Sequence, residues 1–152
     1  MFRSLKYKSL FIIISLIFSL KLHAAEFMLD EDFAKHFAQD WIESWNSHDL
    51  DRIFLHYTND FEMASPNIIR GGFSETGKLT GKEAVGKYWS TALQPNSPLH
   101  CTLTDVLVAV DSLTIYYKNQ NGRLAAEVFF FNEDGIVYKS AAHYSIVNVA
   151  GS

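Results

Sequence analysis

The apolar residues in the first half of the chain recur with the period of helices. The longest stripe places one large ring in every turn, at Phe33, Phe37, Trp41 and Trp45. This stripe predicts a helix that ends near residues 46–48, and Asp49 is expected to cap a second, shorter helix that continues to Asn59. The run from Thr80 to Glu83 matches a capping box and predicts a third helix, which Pro95 follows.

The segment between the second and third helices has no helical period. Phe61–Ser65 reads as a short strand, and Pro66 is expected to end it because proline has no backbone donor. Residues 67–79 contain three glycines, which predicts a loop or an irregular edge ribbon.

From Leu99 onward the pattern changes to that of strands. Alternating β-branched and aromatic residues predict four strands, at 100–110, 113–118, 124–131 and 136–147. Turn sequences rich in Asn, Asp and Gly separate the later strands. Three helices followed by a meander predict a single α+β domain with a curved antiparallel sheet around the long first helix. Such a curve would leave a cavity where it opens.

The N-terminal residues read as a secretory signal peptide over residues 1–24. A basic start at Arg3, Lys6 and Lys8 precedes an apolar run that is too short to span a membrane, and small residues follow it. Cleavage is expected after Ala24, with Ala25 as the alternative site and an uncleaved anchor as the other reading. We therefore expect an exported protein, periplasmic or secreted, with no stable membrane anchor after cleavage and a short leader at 25–31.

The net charge of the exported chain limits the classes of partner that it can bind. The full sequence has a net charge of −4, and loss of residues 1–24 removes four of its 13 basic residues and none of its 17 acids, which leaves −8. A chain this acidic lacks the basic footprint of nucleic-acid binding or of adhesion to an anionic membrane. Cys101 is the single cysteine, so no intramolecular disulfide can form, and the apolar, strand-like run around it predicts a buried thiol.

Three runs resemble a known family. These are Trp41–Pro66, Gly81–Trp89 and Phe129–Val137. Together they are similar to a SnoaL-like domain of the nuclear transport factor 2-like superfamily, and the corresponding domain would span 32–147. The resemblance implies a cone of curved antiparallel sheet with helices in its concavity, often dimeric through the sheet face. It does not imply one activity, because the superfamily includes isomerases, cyclases, dehydratases, hydrolases and transport factors.

The ketosteroid isomerase pattern within that superfamily can be compared residue by residue. Its general base precedes the proline after the first strand, where this chain has Ser65, and its hydrogen-bonding tyrosine on the first helix corresponds to Trp41. The indole N–H of Trp41 would take the place of that tyrosine as a weaker hydrogen-bond donor to a ligand. Its protonated acid lies five residues before the last turn, where this chain has Glu127. Only Glu127 keeps the residue type, so proton abstraction by that route is not supported.

If Glu127 faces inward, strand alternation places Ala125, Phe129 and Phe131 inward with it. The resemblance places Ser140, Ala142 and Tyr144 inward on the last strand. Val128, Phe130, Lys139 and His143 would then face outward, where a homodimer partner is the simplest cover. The alternative is that Glu127 is solvated on the outer face or satisfied by Arg123, Lys139 or a tyrosine.

These observations predict a pocket for a small hydrophobic or amphipathic molecule. Glu127 is the candidate catalytic residue, and the candidate ligand contacts are Trp41, Trp45, Met63, Ser65, Trp89, Phe129, Phe131, Ser140 and Tyr144. Two alternatives remain: an isomerase, cyclase or lyase that uses Glu127 as acid or base, and a dimerising protein-interaction module. No cofactor or metal is expected, because the histidines lack the spacing of a metal motif.

Overall fold

A computed structural model describes residues 27–146, so the predicted signal peptide lies outside the described residues. The described part forms an α+β fold with four helices and six strands. In chain order these are α1 Glu31–Asn46, α2 Leu50–Phe54, β1 Tyr57–Ala64, α3 Pro66–Arg70, β2 Lys78–Thr80, α4 Lys82–Ala92, β3 Thr102–Val108, β4 Ser112–Lys118, β5 Leu124–Phe131 and β6 Val137–Tyr144. None of the helices in this part of the chain is long and apolar enough to cross a membrane.

The six strands form one curved sheet in the order β2-β1-β6-β5-β4-β3. All neighbours are antiparallel except β1 and β6, which pair in parallel. The expectation of a purely antiparallel sheet was therefore wrong at this one pair. Most of the described fold lies between β1 and β6 in the chain, so no tight turn joins them. A long connection allows two strands to pair in parallel, whereas a tight turn requires antiparallel pairing.

Helix α1 lies in the concavity of the sheet, as its aromatic stripe predicts. Asp30 caps the helix by accepting a 2.8 Å hydrogen bond from the backbone N–H of Phe33. Phe37 and Trp41 are buried on its inner face, and both rings contact Phe129 of β5, at centroid distances of 5.1 and 5.4 Å. Burial of these rings against the sheet fixes how α1 lies over the strands.

Three details of the helical half differ from the sequence predictions. The second helix ends at Phe54, and Tyr57–Asp60 belong to strand β1, because buried Tyr57 pairs with Val137 across the sheet. The glycine-rich segment contains the short helix α3, capped by Ser65 and with Pro66 at its first position. Helix α4 begins after Gly81 without a side-chain cap, so the predicted capping box does not form.

The closing hairpin forms as predicted. The side-chain Oδ1 of Asn132 accepts hydrogen bonds from the backbone N–H groups of Asp134 and Ile136, and Gly135 has a φ of 74°. The ring of Phe27, in the described part of the predicted leader, packs against this turn and against Phe33. The turn thereby fixes the register of β5 against β6, and Glu127 pairs with Ala142.

Candidate functional site

A partly open cavity of about 240 Å³ lies between the concave face of the sheet, α1 and α4. Its lining comprises Trp41, Trp45, Met63, Asn67, Tyr88, Trp89, Ala92, Leu99, Cys101, Tyr117, Asn119, Gln120, Ala125, Glu127 and Tyr144. Trp41, Met63, Trp89 and Glu127 are buried at its deep end, whereas Ala92 and Gln120 are exposed and mark its mouth. The cavity opens where the curved sheet and the helices diverge.

Aromatic rings from four elements, α1, α4, β4 and β6, form the walls. Trp41 lies 5.8 Å from Trp45 and 5.6 Å from Tyr117 between ring centroids, with interplanar angles of 54° and 56°. Trp45 meets Trp89 at 5.1 Å and 73°. The indole N–H of Trp89 donates to the Met63 sulfur over 3.1 Å. Because the ring planes are steeply inclined to one another, the rings do not stack face to face, and space remains between them.

Trp41 differs from its predicted role as a hydrogen-bond donor to a ligand. Its indole N–H donates to the Tyr57 hydroxyl over 2.8 Å, and both side chains are buried. This indole N–H is therefore already satisfied within the protein. Trp41 offers the cavity its ring surface and not its donor.

Glu127 places a carboxyl group in the cavity. It lies on β5 between buried Ala125 and Phe129, and only 3% of its surface is exposed. Within residues 27–146 it forms no ion pair: the Arg123 guanidinium binds the backbone oxygen of Ser145, and Lys139 lies over the outward ring of Phe130. Burial in the described structure thus favours the inward reading of Glu127 over the solvated alternative.

Desolvation dominates the protonation of Glu127. Burial raises the pKa of its carboxyl from 4.5 to about 8, and the neighbouring buried hydroxyl of Ser140 partly opposes this rise. At pH 7 most of the carboxyl is protonated. It can then donate a hydrogen bond, or transfer a proton to or from a bound molecule.

Tyrosine hydroxyls surround the carboxyl. Burial raises the pKa values of Tyr88, Tyr117 and Tyr144, and the negative charge of Glu127 adds to each increase. Hydrogen bonding to Ser65 lowers the pKa values of Tyr88 and Tyr144, so these three hydroxyls form one polar cluster beside Asn67. All these hydroxyls are neutral near pH 7.

The structure brings the predicted site residues together only in part. Trp41, Trp45, Met63, Trp89, Glu127 and Tyr144 line the cavity. Ser65 lies at its border, where its hydroxyl caps α3 over 3.1 Å. Phe129 and Phe131 pack against Phe37, and Ser140 lies fully buried behind Glu127. The roles of all of them as ligand contacts remain predictions.

Several lining residues were not predicted as site residues. Tyr117 could have been found, because Leu113, Ile115 and Tyr117 alternate on the buried face of β4. Leu99 and Cys101 could not, because they are placed by tertiary contacts with the end of α1. There the side-chain amide of Asn46 donates to the backbone oxygen of Cys101 over 2.9 Å and accepts from its backbone N–H over 2.8 Å. The Nε2 atom of His48 lies 2.8 Å from the backbone oxygen of Leu99. Burial raises the pKa of the Cys101 thiol to about 12, which makes it a poor nucleophile.

A second polar cluster lies outside the cavity, at Asp40, Ser44 and His56. The Nε2 atom of His56 is 3.2 Å from the Ser44 hydroxyl and 3.4 Å from the Asp40 carboxylate. A nucleophilic triad needs these partners on opposite ring nitrogens, and here both approach the same one. The Ser44 hydroxyl moreover donates to the Asp40 backbone oxygen, so the cluster ties α1 to the start of β1. Elsewhere among residues 27–146, no three His, Cys, Asp or Glu side chains converge as metal ligands.

The fold and the cavity together define an α+β protein whose curved, open sheet wraps around a helix and an aromatic chamber. The family model of the SnoaL-like domain matches residues 38–146, and the chain belongs to this family. The chain is 44% identical to a SnoaL-like protein of unknown function from Burkholderia thailandensis, with a TM-score of 0.74 over 78% of this chain and 99% of that one.

More distant structures share the fold alone. An NTF2-like protein of unknown function from Burkholderia xenovorans LB400 is 15% identical, with a TM-score of 0.61 over 80% of this chain and 90% of that one. TerC, co-crystallised with polyporic acid, is 11% identical, with a TM-score of 0.59 over 74% of this chain and 92% of that one. No functionally curated protein matches the sequence.

Proposed function

We propose that the protein is exported and binds a small hydrophobic or amphipathic molecule in its aromatic cavity. The observation that carries this proposal is Glu127, a buried carboxyl without an ion-pair partner in the described structure that faces a chamber walled by tryptophans. A buried acid without a partner destabilises a fold, so its presence at an open cavity is better explained by binding than by packing.

The volume of the cavity limits the ligand. An apolar cavity of about 150 Å³ in another protein accommodates benzene, and pockets for drug-sized ligands have volumes of about 300–1,000 Å³. At about 240 Å³, the chamber suits a molecule with roughly one or two rings and one polar group. A molecule of this size would displace the water beside Glu127 and the indoles.

Titration with small aromatic alcohols, quinones, amines and short fatty acids tests this proposal. We expect a binder to change the tryptophan fluorescence and to raise the melting temperature, because three indoles line the chamber. Ala92→Trp at the exposed mouth should weaken binding at least tenfold by blocking entry. Thr91→Trp, at the exposed neighbouring position outside the lining, is the matched control. The proposal fails if no compound in the panel changes either signal.

Export makes a separate prediction. When the full sequence is expressed in a secreting bacterial host, the intact mass of the exported protein should correspond to a chain that begins at Ala25, since the small residues at 24 and 25 follow the apolar run. Replacement of Ile13 and Ile14 by Asp should retain the protein in the cytoplasm. Release of an unprocessed chain, or cytoplasmic accumulation of the wild type, would contradict export.

We also infer a homodimer through the outer face of the sheet. The strand registers align Ala64, Ala141, Val128, Thr114 and Leu107 in one uncharged row across five strands. The helices of the described residues cover the opposite face, and Leu107 is 50% exposed. A row of uncharged side chains, most of them small or apolar, is suited to pairing with a second copy of itself.

Val128→Glu should convert this dimer to a monomer, because it buries a carboxylate at the centre of the row. Light scattering coupled to size-exclusion chromatography at micromolar concentration measures the mass directly. Thr102→Glu, on an exposed position of the edge strand, serves as the charge-matched control and should remain dimeric. A monomeric wild type would exclude this interface.

A further inference from the structure

The chemistry of the cavity lining indicates what kind of ligand it takes, provided that the proposed ligand-binding function holds. Among residues 27–146, Glu127 is the only lining residue with an acidic or basic side chain, and no Lys, Arg or His of this range lines the cavity. An anionic ligand would therefore lie beside a carboxyl without a compensating cation. Electrostatics disfavour this class whenever Glu127 is ionised, and favour neutral and cationic molecules.

The aromatic walls of the cavity distinguish between neutral and cationic ligands. Three indoles and the rings of Tyr88, Tyr117 and Tyr144 line one chamber, and the ring planes of Trp41, Trp45 and Trp89 are steeply inclined to their neighbours. Aromatic faces carry a negative quadrupole that attracts cations, and Trp is the strongest such surface. A neutral molecule gains contact with the ring faces but not this electrostatic attraction.

Glu127 supplies the second requirement. It is 3% exposed and has no ion-pair partner within residues 27–146, so the protein provides no charge to balance its ionised form. A bound cation would be that missing partner. We propose that the chamber binds a small organic cation, an amine or quaternary ammonium on an apolar body, with the rings around its charged head and the ionised Glu127 carboxylate as its counter-ion.

This binding mode couples ligand affinity to pH through one group. The titratable side chains that face Glu127 are Tyr57 from β1, Tyr88 from α4, Tyr117 from β4, Tyr144 from β6 and the Cys101 thiol, and all have pKa values raised by burial. None of them is charged between pH 6 and 9. Glu127, with a pKa of about 8, is the group of the chamber that changes charge in this range. The cation should consequently bind more tightly as pH rises. Below pH 8, its binding should displace a proton from the Glu127 carboxyl.

A matched pair of probes tests the charge alone. Benzyltrimethylammonium carries a permanent charge, and neopentylbenzene has the same shape with carbon in place of nitrogen. Titrations followed by tryptophan fluorescence at pH 9 should show the cation binding at least tenfold more tightly than its isostere. Between pH 9 and pH 6 the affinity for the cation should fall by up to about 100-fold, because only about 1% of Glu127 is then ionised.

Glu127→Gln should reduce the preference for the cation to less than about threefold and remove its pH dependence, while circular dichroism verifies that the variant is folded. Glu133→Gln, in the exposed hairpin turn, is the control and should leave both unchanged. Equal binding of the two probes, or cation affinity that is constant from pH 6 to 9 in the wild type, would overturn the cation inference while leaving the proposed pocket intact. If neither these probes nor the wider panel binds, both proposals fail.

Discussion

Phe129→Ala should lower the free energy of unfolding by about 3–5 kcal/mol. Phe129 is fully buried on β5, and its ring meets Phe37 and Trp41 of α1 at centroid distances of 5.1 and 5.4 Å. Removal of the ring leaves a cavity where the helix joins the sheet, and the edge-to-face contacts are lost with it. Urea unfolding followed by circular dichroism measures the change.

Phe130→Ala provides a matched comparison on the same strand. Phe130 faces the outer side, is only partly buried, and contacts Tyr138 and the Lys139 ammonium at longer distances of 6.5 and 5.5 Å. Its loss should cost less than half as much as that of Phe129, measured at the same protein concentration so that any dimer contribution is constant. Equal effects of the two substitutions would mean that β5 does not divide the core from the outer face as described.

The features that sequence alone predicted correctly are those set by local periodicity. The four-residue spacing of Phe33, Phe37, Trp41 and Trp45 defines one face of α1, and alternation along β5 places Glu127 on the same face as Phe129. The turn at Asn132–Gly135 could be read from its residue types, because the Asn side chain and a positive φ at Gly determine its geometry. These signals need no information about the rest of the fold.

The errors occur where distant residues decide the structure. Tyr57 is compatible with the apolar face of a short helix, but it becomes the first residue of β1 because it pairs with Val137 and buries its ring. The parallel pairing of β1 with β6 likewise has no local signature. At the site, Trp41 was predicted to offer its N–H to a ligand, and only the three-dimensional structure places the Tyr57 hydroxyl 2.8 Å from it.

Burial of the Glu127 carboxyl is expected to lower the stability of the fold. A carboxyl at this position could be replaced by an uncharged side chain of similar shape without disturbing Ala125 or Phe129 on either side of it. Natural sequences retain such destabilising groups mainly where activity requires them. The size of the destabilisation is therefore a measurable argument for a functional Glu127, and it follows from the pKa of the carboxyl.

The stability difference between wild type and Glu127→Gln should change with pH in a direction that burial dictates. Below about pH 4.5 the carboxyl is protonated in both the folded and the unfolded chain, so it adds no pH-dependent penalty. Between pH 4.5 and 8 the unfolded chain loses this proton while the folded chain keeps it, and the folded state loses stability as pH rises. Above pH 8 both forms are ionised and the penalty is constant, at roughly 3–5 kcal/mol.

Urea unfolding of both proteins at pH 4.5, 6.5 and 8.5 measures this change. The variant should gain stability relative to the wild type at each step, and the constant cost of accommodating the amide cancels when the differences are compared across pH. Glu133→Gln in the exposed turn should show a difference that varies by less than about 0.5 kcal/mol over the same range. Parallel pH profiles for wild type and Glu127→Gln would mean that solvent reaches the carboxyl freely. Glu127 would then be an ordinary surface acid, and neither a poised proton donor nor a buried counter-ion could be assigned to it.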